Sequence, residues 1–153
     1  MANYTNDRTY DQVVSGPRIV LASAPGYFDG TNSVNIDSAD GRVQVPFACK
    51  LLSVARVPIS GATVAAASYS LIVGHSLAGT GTYTTLGTFT VPGTEAASTA
   101  ASGRTVATDA SLTTTESLLT LADGDVLAVC GPTATTAVIG TNQYWFVVQE
   151  LPS

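Results

Sequence analysis

The sequence predicts an all-β protein: a single antiparallel β-sandwich, jelly-roll-like, with an extended N-terminal arm. Apolar residues recur at every second position in short stretches along the chain, which is the period of a half-buried strand. Gly, Pro, Asp, Ser and Thr residues typical of turns separate these stretches. No window combines helical apolar spacing with helix caps, so we expect little helix. Roughly eight to ten short strands in one domain are typical of a sandwich or barrel.

The chain of 153 residues is long enough for one domain with a substantial core. We divide it into an extended N-terminal arm, residues 1–17, and a β-sandwich domain, residues 18–153. The arm is rich in Asn, Thr, Asp and Tyr, has no apolar face, and ends at the turn-forming pair Gly16-Pro17. We expect it to be ordered only where it lies on a neighbour. The alternative is that it supplies an edge strand to its own sandwich.

The first half of the sandwich domain contains strands of two kinds. Residues 18–23 form a short strand, and residues 33–36 a possible second one inside a turn-rich loop. Residues 43–47 alternate between apolar and other residues, and Pro46 places this strand near an edge or a bulge. Residues 50–59 are apolar on both faces, which indicates a strand at the centre of a sheet.

The second half continues the same pattern. Residues 69–73 alternate again, and residues 82–91 are rich in Thr, Tyr and Phe, which favour strands. Gly87 shifts the apolar phase within that strand, which indicates a β-bulge. Residues 92–110 are small and polar, and predict a long loop with a possible short strand at residues 105–108.

Two long strands near the end of the chain, residues 126–130 and 143–150, carry much of the aromatic and β-branched mass. Asp123-Gly124-Asp125 predicts a tight turn before the first of them, because Gly accepts positive φ and Asp caps its own backbone. A small polar connection, residues 131–142, joins the two strands.

Both faces of the last strand are apolar. Tyr144, Phe146 and Val148 share one face, and Trp145 and Val147 share the other. We therefore expect an interior strand covered on both sides, by its own domain or by a sister subunit. This expectation places Trp145, the one Trp in the chain, in a core rather than on a sugar-binding surface.

Composition narrows the function classes. Charged residues make up 11% of the chain, against about 25% in an average soluble domain. With so few charges, electrostatic repulsion between copies of the chain is weak. We therefore expect the protein to function while packed against other proteins. The net charge is −5 and the six Lys and Arg residues are scattered, which argues against a nucleic-acid partner.

Two further patterns concern location. No apolar run approaches the roughly 20 residues that span a bilayer, so we expect no membrane partner. The first residues lack a basic region followed by an apolar one, so we expect synthesis in a cytoplasm.

The segment Gly74-His75-Ser76-Leu77-Ala78-Gly79 is similar to the nucleophile elbow of lipases. An elbow needs a helix directly after the serine, and here a strand is predicted instead. The one His in the chain lies inside the motif, so no second imidazole is available to take the serine proton. We interpret the segment as a strand end turning into a loop, and we expect the protein not to be an enzyme.

Cofactor and metal sites are not predicted either. One His and two distant Cys residues, Cys49 and Cys130, do not make a usual zinc site. We expect both thiols to be buried and reduced. The acidic turns at residues 37–41 and 123–125 offer oxygens to calcium but lack the twelve-residue loop of a known site, so turn capping is the favoured interpretation.

Four segments together resemble small β-sandwich head proteins of tailed bacteriophages, the capsid decoration or cement proteins, and also phage fibre and spike modules. They are VQVPFACKLLSVARVP (residues 43–58), YSLIVGHS (69–76), TLGTFTVP (85–92) and LADGDVLAV (121–129). The resemblance covers roughly residues 40–150. It lies in the kinds of segment present: an apolar strand, a Thr-rich strand, and an acidic turn before another apolar strand.

This resemblance implies a virion structural protein with no catalytic residues, commonly a homotrimer on the capsid exterior. Its partners would be the major capsid protein and further copies of itself. The alternative function is a receptor- or glycan-binding phage fibre or spike module.

The arm supplies the candidate partner-binding residues Tyr4, Arg8 and Tyr10. An aromatic side chain on an otherwise polar segment gains most by entering a pocket on a partner, which favours Tyr4 and Tyr10 as anchors. Arg8 lies between them and is placed to meet an acidic rim. The polar composition leaves little apolar area to offset the ordering entropy, so we expect the arm to contribute binding rather than folding.

Overall fold

The computed structural model describes residues 16–24, 26–28, 41–58, 69–77, 83–91, 108–131 and 140–152. Within these ranges the chain forms antiparallel strands and one short helix, which confirms the predicted all-β sandwich. The elements are β1 (Arg18–Ala22), β2 (Gly26–Phe28), β3 (Gly41–Gln44), β4 (Cys49–Pro58), β5 (Tyr69–Ser76), β6 (Tyr83–Val91), β7 (Thr108–Asp109), β8 (Ser111–Leu112), α1 (Glu116–Leu119), β9 (Thr120–Leu121), β10 (Val126–Cys130) and β11 (Gly140–Glu150).

The strands divide between two antiparallel sheets. The first sheet has the order β1-β11-β4-β7, with β2 also pairing with β11 and β9 also pairing with β4. The second sheet has the order β3-β10-β5-β6-β8. The chain crosses between the sheets repeatedly, from β3 to β4 to β5 and from β9 to β10 to β11. Such crossovers place the inner faces of both sheets around one core, as in a jelly-roll-like sandwich.

The core lies between the sheets and draws on both. Phe89 of the second sheet meets Tyr144 of the first, with ring centroids 6.0 Å apart and planes tilted by 42°. This tilted arrangement is favourable for aromatic pairs. The buried apolar cluster consists of Val45, Cys49, Leu51, Val54, Leu71, Val73, Leu86, Phe89, Leu119, Leu121, Leu127, Val129, Tyr144, Phe146 and Val148.

β11 is the longest strand and pairs with β1, β2 and β4. Its inner face carries Tyr144, Phe146 and Val148, each with no exposed surface. Because successive side chains point to opposite faces, Trp145 and Val147 face outward. Trp145 is 42% exposed. The prediction that Trp145 packs in a core is therefore wrong, because only one face of this strand is covered by its own domain.

Two strand predictions are confirmed by the pairing. β4 lies between β11 and the short strands β7 and β9, so the doubly apolar segment is central, as expected. β3 is an edge strand of the second sheet, and the chain leaves it shortly before Pro46.

The predicted bulge at Gly87 is also confirmed. The register of β5 and β6 shifts between Val73, which pairs with Gly87, and Gly74, which pairs with Thr85. Leu86 is the extra residue, and the shift turns both Leu86 and Phe89 into the core.

The turn before β10 has the predicted chemistry. Gly124 has a φ of 87°, which an L-residue rarely adopts. The Asp125 Oδ2 atom accepts a hydrogen bond of 2.8 Å from the Ala122 backbone N–H. Val45 bonds to this turn on both sides: its N–H donates to the Asp125 carbonyl and its carbonyl accepts from the Gly124 N–H, each at 2.8 Å.

The two C-terminal strands do not pair with each other. β10 lies in the second sheet and β11 in the first, so their inner faces meet across the core. Ahead of them, residues 116–119 form the short helix α1, which leads into β9. Glu116 of this helix forms a salt bridge of 2.8 Å with Lys50.

Several predictions fall outside the described residues. These are the possible strand at residues 33–36, most of the strand at residues 105–108, and the arm up to residue 15. The described chain begins at Gly16, whose φ is 64°. The Pro17 carbonyl accepts a hydrogen bond of 3.1 Å from the Glu150 N–H, so the start of the sandwich is fastened to the end of β11.

Phe146→Ala tests the inner face of β11. The substitution removes a fully buried ring, so we expect the free energy of unfolding to fall by about 3–5 kcal/mol. The melting temperature should fall by roughly 6–20 °C in thermal denaturation. Val147→Ala, on the outer face of the same strand, is the control and should cost about 1 kcal/mol or less. An equal loss in both variants would contradict the assignment of the faces.

Candidate functional site

The lipase-like segment ends strand β5. Ser76 is buried, pairs with Tyr83 of β6, and its Oγ donates to the Leu77 carbonyl at 3.3 Å. His75 is also buried, but adjacent strand residues point to opposite faces, so its imidazole turns away from the Ser76 hydroxyl. A nucleophile elbow instead exposes its serine at a strand-to-helix turn. The segment is a strand end, as predicted.

Packing explains why a glycine stands at position 74. A Cβ atom built on Gly74 would lie 2.3 Å from the Cζ atom of Tyr83. The Tyr83 hydroxyl lies 3.0 Å from the Ile72 carbonyl oxygen and 3.3 Å from that of Ala128, and donates to them. The ring therefore crosses β5 over the bare backbone of Gly74 and ties β6 to β10.

Burial suppresses ionisation in this cluster. It raises the pKa of the Tyr83 hydroxyl and of the Cys130 thiol, which are hydrogen-bonded to each other. Burial, with a smaller effect of the Asp125 carboxylate, raises the pKa of Cys49 to about 11. Both cysteines are free and buried, as expected. Neutral thiols are poor nucleophiles, so neither is set up for covalent chemistry.

A buried arginine closes one end of the core. Arg56 of β4 is among the largest fully buried side chains, and its Nε donates to the Asn142 Oδ1 atom at 3.0 Å. Sequence analysis missed this pair, because Arg56 lies in an apolar segment and Asn142 in a connection far along the chain. Only the pairing of β4 with β11 brings them together.

Within the described ranges, no group of three or more His, Cys, Asp or Glu residues is placed to hold a metal ion. Asp125 is buried and bonded to the backbone of its own turn, which is the capping role that was favoured. The other acidic turn, residues 37–41, lies outside the described residues except for Gly41. Among the residues that the structure describes, no helix is long and apolar enough to cross a membrane.

The most unusual surface is the outer side of the first sheet. We define the outer apolar face as Val20 and Ala22 of β1, Trp145 and Val147 of β11, and Ala55 of β4. Val20 pairs with Val147, and Trp145 pairs with both Ala22 and Ala55, so the five side chains lie side by side. Val20 is 57% exposed and Trp145 is 42% exposed.

The outer apolar face has one free charge at each of two opposite corners. Arg18 lies on its β1 side and Asp109, opposite Ala55, on its β7 side. Both are exposed, and neither forms an ion pair within the described part of the chain. Lys50, which also faces outward, is neutralised by Glu116. Contiguous exposed apolar residues with a polar rim mark interaction surfaces.

One polar contact adjoins this face. The Trp145 indole Nε1 donates to the Gln143 side-chain oxygen at 3.3 Å, and the Gln143 amide nitrogen donates to the Ser23 carbonyl at 3.0 Å. Through Gln143, these two bonds link the indole to the backbone of Ser23, which directly follows β1.

The predicted partner-binding residues Tyr4, Arg8 and Tyr10 lie outside the described residues, so the structure brings none of them together. The outer apolar face was not predicted as a site. The signal was present, since both faces of the last strand are apolar, but Trp145 was assigned to a core.

No known protein family, no curated protein and no solved structure matches the chain. Function is therefore inferred from the residues and their geometry.

Gly74→Ala tests the packing of Tyr83 on β5. The added methyl group would displace the ring, so we expect unfolding free energy to fall by about 1–3 kcal/mol in denaturant titrations. In a Tyr83→Ala background the ring is absent, and Gly74→Ala should cost about 1 kcal/mol less than in the wild type. Additive losses would show that the two residues do not interact.

The pH dependence of stability tests the burial of Cys49. Its pKa is raised in the folded state from 9.0 to about 11, so the thiol stabilises the fold below pH 9. This contribution should be lost as the pH rises from about 9 to about 11, because the thiolate is favoured in the unfolded chain. Equilibrium unfolding at several pH values measures the loss, and Cys49→Ala should show a shallower decline. The same slope in both proteins would contradict this account.

Proposed function

We propose that the protein is a virion structural protein: a capsid decoration, or cement, protein that stabilises a phage head through protein–protein contacts. The observation that carries this proposal is the outer apolar face, on which a single copy of the chain leaves Trp145 and Val20 exposed. A tryptophan at the centre of an apolar patch is typical of protein-binding surfaces.

The rest of the molecule supports a binding role over a chemical one. The hydroxyl of Ser76 is buried and donates to the Leu77 carbonyl, and burial keeps both thiols neutral. Charged residues make up 11% of the chain, and so low a fraction suits a protein that functions while bound to other proteins. The resemblance of residues 40–150 to phage head proteins supports a phage head as the place where the protein binds.

In this proposal the protein is made in the host cytoplasm and binds the major capsid protein on the capsid exterior as a homo-oligomer, most simply a trimer. Tyr4, Arg8 and Tyr10 are the proposed anchors on the capsid. Gly16 and Pro17 are fastened to the end of β11, so the arm leaves the sandwich at a defined point.

A second candidate, a receptor- or glycan-binding fibre or spike module, is favoured by one observation. Trp145 presents an exposed ring beside the Gln143 amide, and an aromatic ring beside hydrogen-bonding groups is a common platform for sugars. However, the residues that flank the ring across the neighbouring strands are Ala22 and Ala55, which offer no side-chain hydrogen bonds to a sugar. This composition favours a protein surface as the partner.

Copy number on the particle tests the proposal. Phage particles should be purified from cells that produce the chain, and quantified by mass spectrometry and electron microscopy. A decoration protein should be present in hundreds of copies on the head. A few copies on a fibre, together with glycan binding that Trp145→Ala abolishes, would support the second candidate and contradict the first.

The arm is tested on the same particles by adding back purified protein. A chain lacking residues 2–15 should keep its melting temperature and lose attachment, since the arm contributes binding rather than folding. Tyr4→Ala/Tyr10→Ala should show the same loss. A truncated chain that unfolds or aggregates would show that the arm belongs to the sandwich.

A further inference from the structure

We propose that the outer apolar face binds a second copy of this chain, with Arg18 of one copy opposite Asp109 of the other. This inference deepens the self-association included in the proposed function by naming its surface. Its test needs no phage particle, so the two proposals can fail separately.

The apolar part of this contact is concentrated on one face. Three large hydrophobic side chains are exposed in the described ranges, Val20, Leu77 and Trp145, and two of them lie here. They are joined by Ala22, Ala55 and Val147 on three neighbouring strands. Small residues around one indole make a flat surface, onto which the same surface of a second copy can pack without a deep pocket.

Two charged residues of opposite sign, Arg18 and Asp109, make the two ends of the face different. Arg18 and Asp109 are separated by three strand spacings, about 14 Å, and by four residues along the strands, about 13 Å. They therefore lie about 20 Å apart, at diagonal corners of the face. Lys50 and Glu116 neutralise each other, so Arg18 and Asp109 are the cation and the anion that the described residues leave unpaired at this face.

Such a pattern is self-complementary. When two copies meet face to face about a two-fold axis that lies in the interface, perpendicular to the diagonal, each Arg18 meets the Asp109 of the other copy. This arrangement is closed, as in most soluble oligomers. To make the same contacts, the surface of a different protein would need an anion opposite Arg18 and a cation opposite Asp109.

The area sets the expected strength. Four strands, about 19 Å across, by five residues of strand length, about 17 Å, give roughly 300 Å², less than half of the 800 Å² that each partner of a stable interface covers. We therefore expect association in the micromolar range rather than a permanent oligomer.

Sedimentation velocity of the full chain between about 1 and 200 µM measures this association. Val20→Lys places a charge within the apolar contact and should weaken association at least about tenfold. Leu77→Lys is the matched control, because Leu77 is 54% exposed against 57% for Val20 but lies outside the face. It should associate like the wild type. Circular dichroism and melting temperature confirm that each variant is folded.

The charge pair gives a second test that leaves the apolar residues intact. Arg18→Asp and Asp109→Arg should each weaken association about threefold to tenfold, and the double variant should restore it. The effect of each single change should shrink in high salt. A dimer with this pattern of variant effects supports the surface.

Three results would overturn the proposal. The first is a wild-type chain that stays monomeric across the whole concentration range. The second is association that Val20→Lys leaves unchanged or that Leu77→Lys weakens equally. The third is a double charge variant that associates no better than the single ones.

Discussion

The two-residue period of strand β11 is the constraint on which the rest of the structure depends. Tyr144, Phe146 and Val148 must face inward to fill the space between the sheets, and the same period then turns Trp145 and Val147 outward. A register slip of one residue would exchange the two sets, which would expose the Tyr144 and Phe146 rings and turn Trp145 and Val147 inward. The exposed tryptophan is therefore a direct consequence of the core. The core determines that residue 145 faces outward but does not determine its residue type. A large aromatic side chain at this position favours a binding role over a purely structural one.

Much of the fold follows from local pattern, and much of the candidate site does not. Alternation located the strands, Gly87 marked its bulge, and Gly124 marked its turn, because each depends on neighbouring residues only. The outer apolar face depends on which strands become neighbours, and a single sequence does not contain that information. Trp145 shows the difficulty, since a strand that is apolar on both faces has the same pattern whether its second face is covered by its own domain or by another protein.

Short motifs carry even less information when the fold is unknown. Gly74-His75-Ser76 matches the sequence pattern of a nucleophile elbow. However, a side chain at position 74 would collide with the ring of Tyr83, and Ser76 lies within the paired part of β5 and β6. A glycine in an elbow relieves a strained turn, whereas here it makes room for a side chain from the next strand. The two demands produce the same residue for different reasons. Buried Arg56 is the opposite case: a residue with strong chemistry whose partner, Asn142, is brought to it only by tertiary pairing.

The proposed self-association and the proposed capsid binding use different parts of the molecule and can reinforce each other. Gly16 and Pro17, at the boundary between the proposed arm and the sandwich, directly precede Arg18 at the corner of the outer apolar face. Copies joined face to face through that surface therefore place the starting points of their arms about 20 Å apart, at opposite corners of the contact. A single polar arm with two aromatic anchors is a weak ligand, because its ordering entropy offsets most of what the anchors contribute. Two or three arms held on one oligomer bind together, and linkage of this kind strengthens binding by about 10²–10⁴ without any new contact. Weak contacts between copies would then be sufficient, since copies concentrated on a capsid would associate there even where the free protein is largely monomeric.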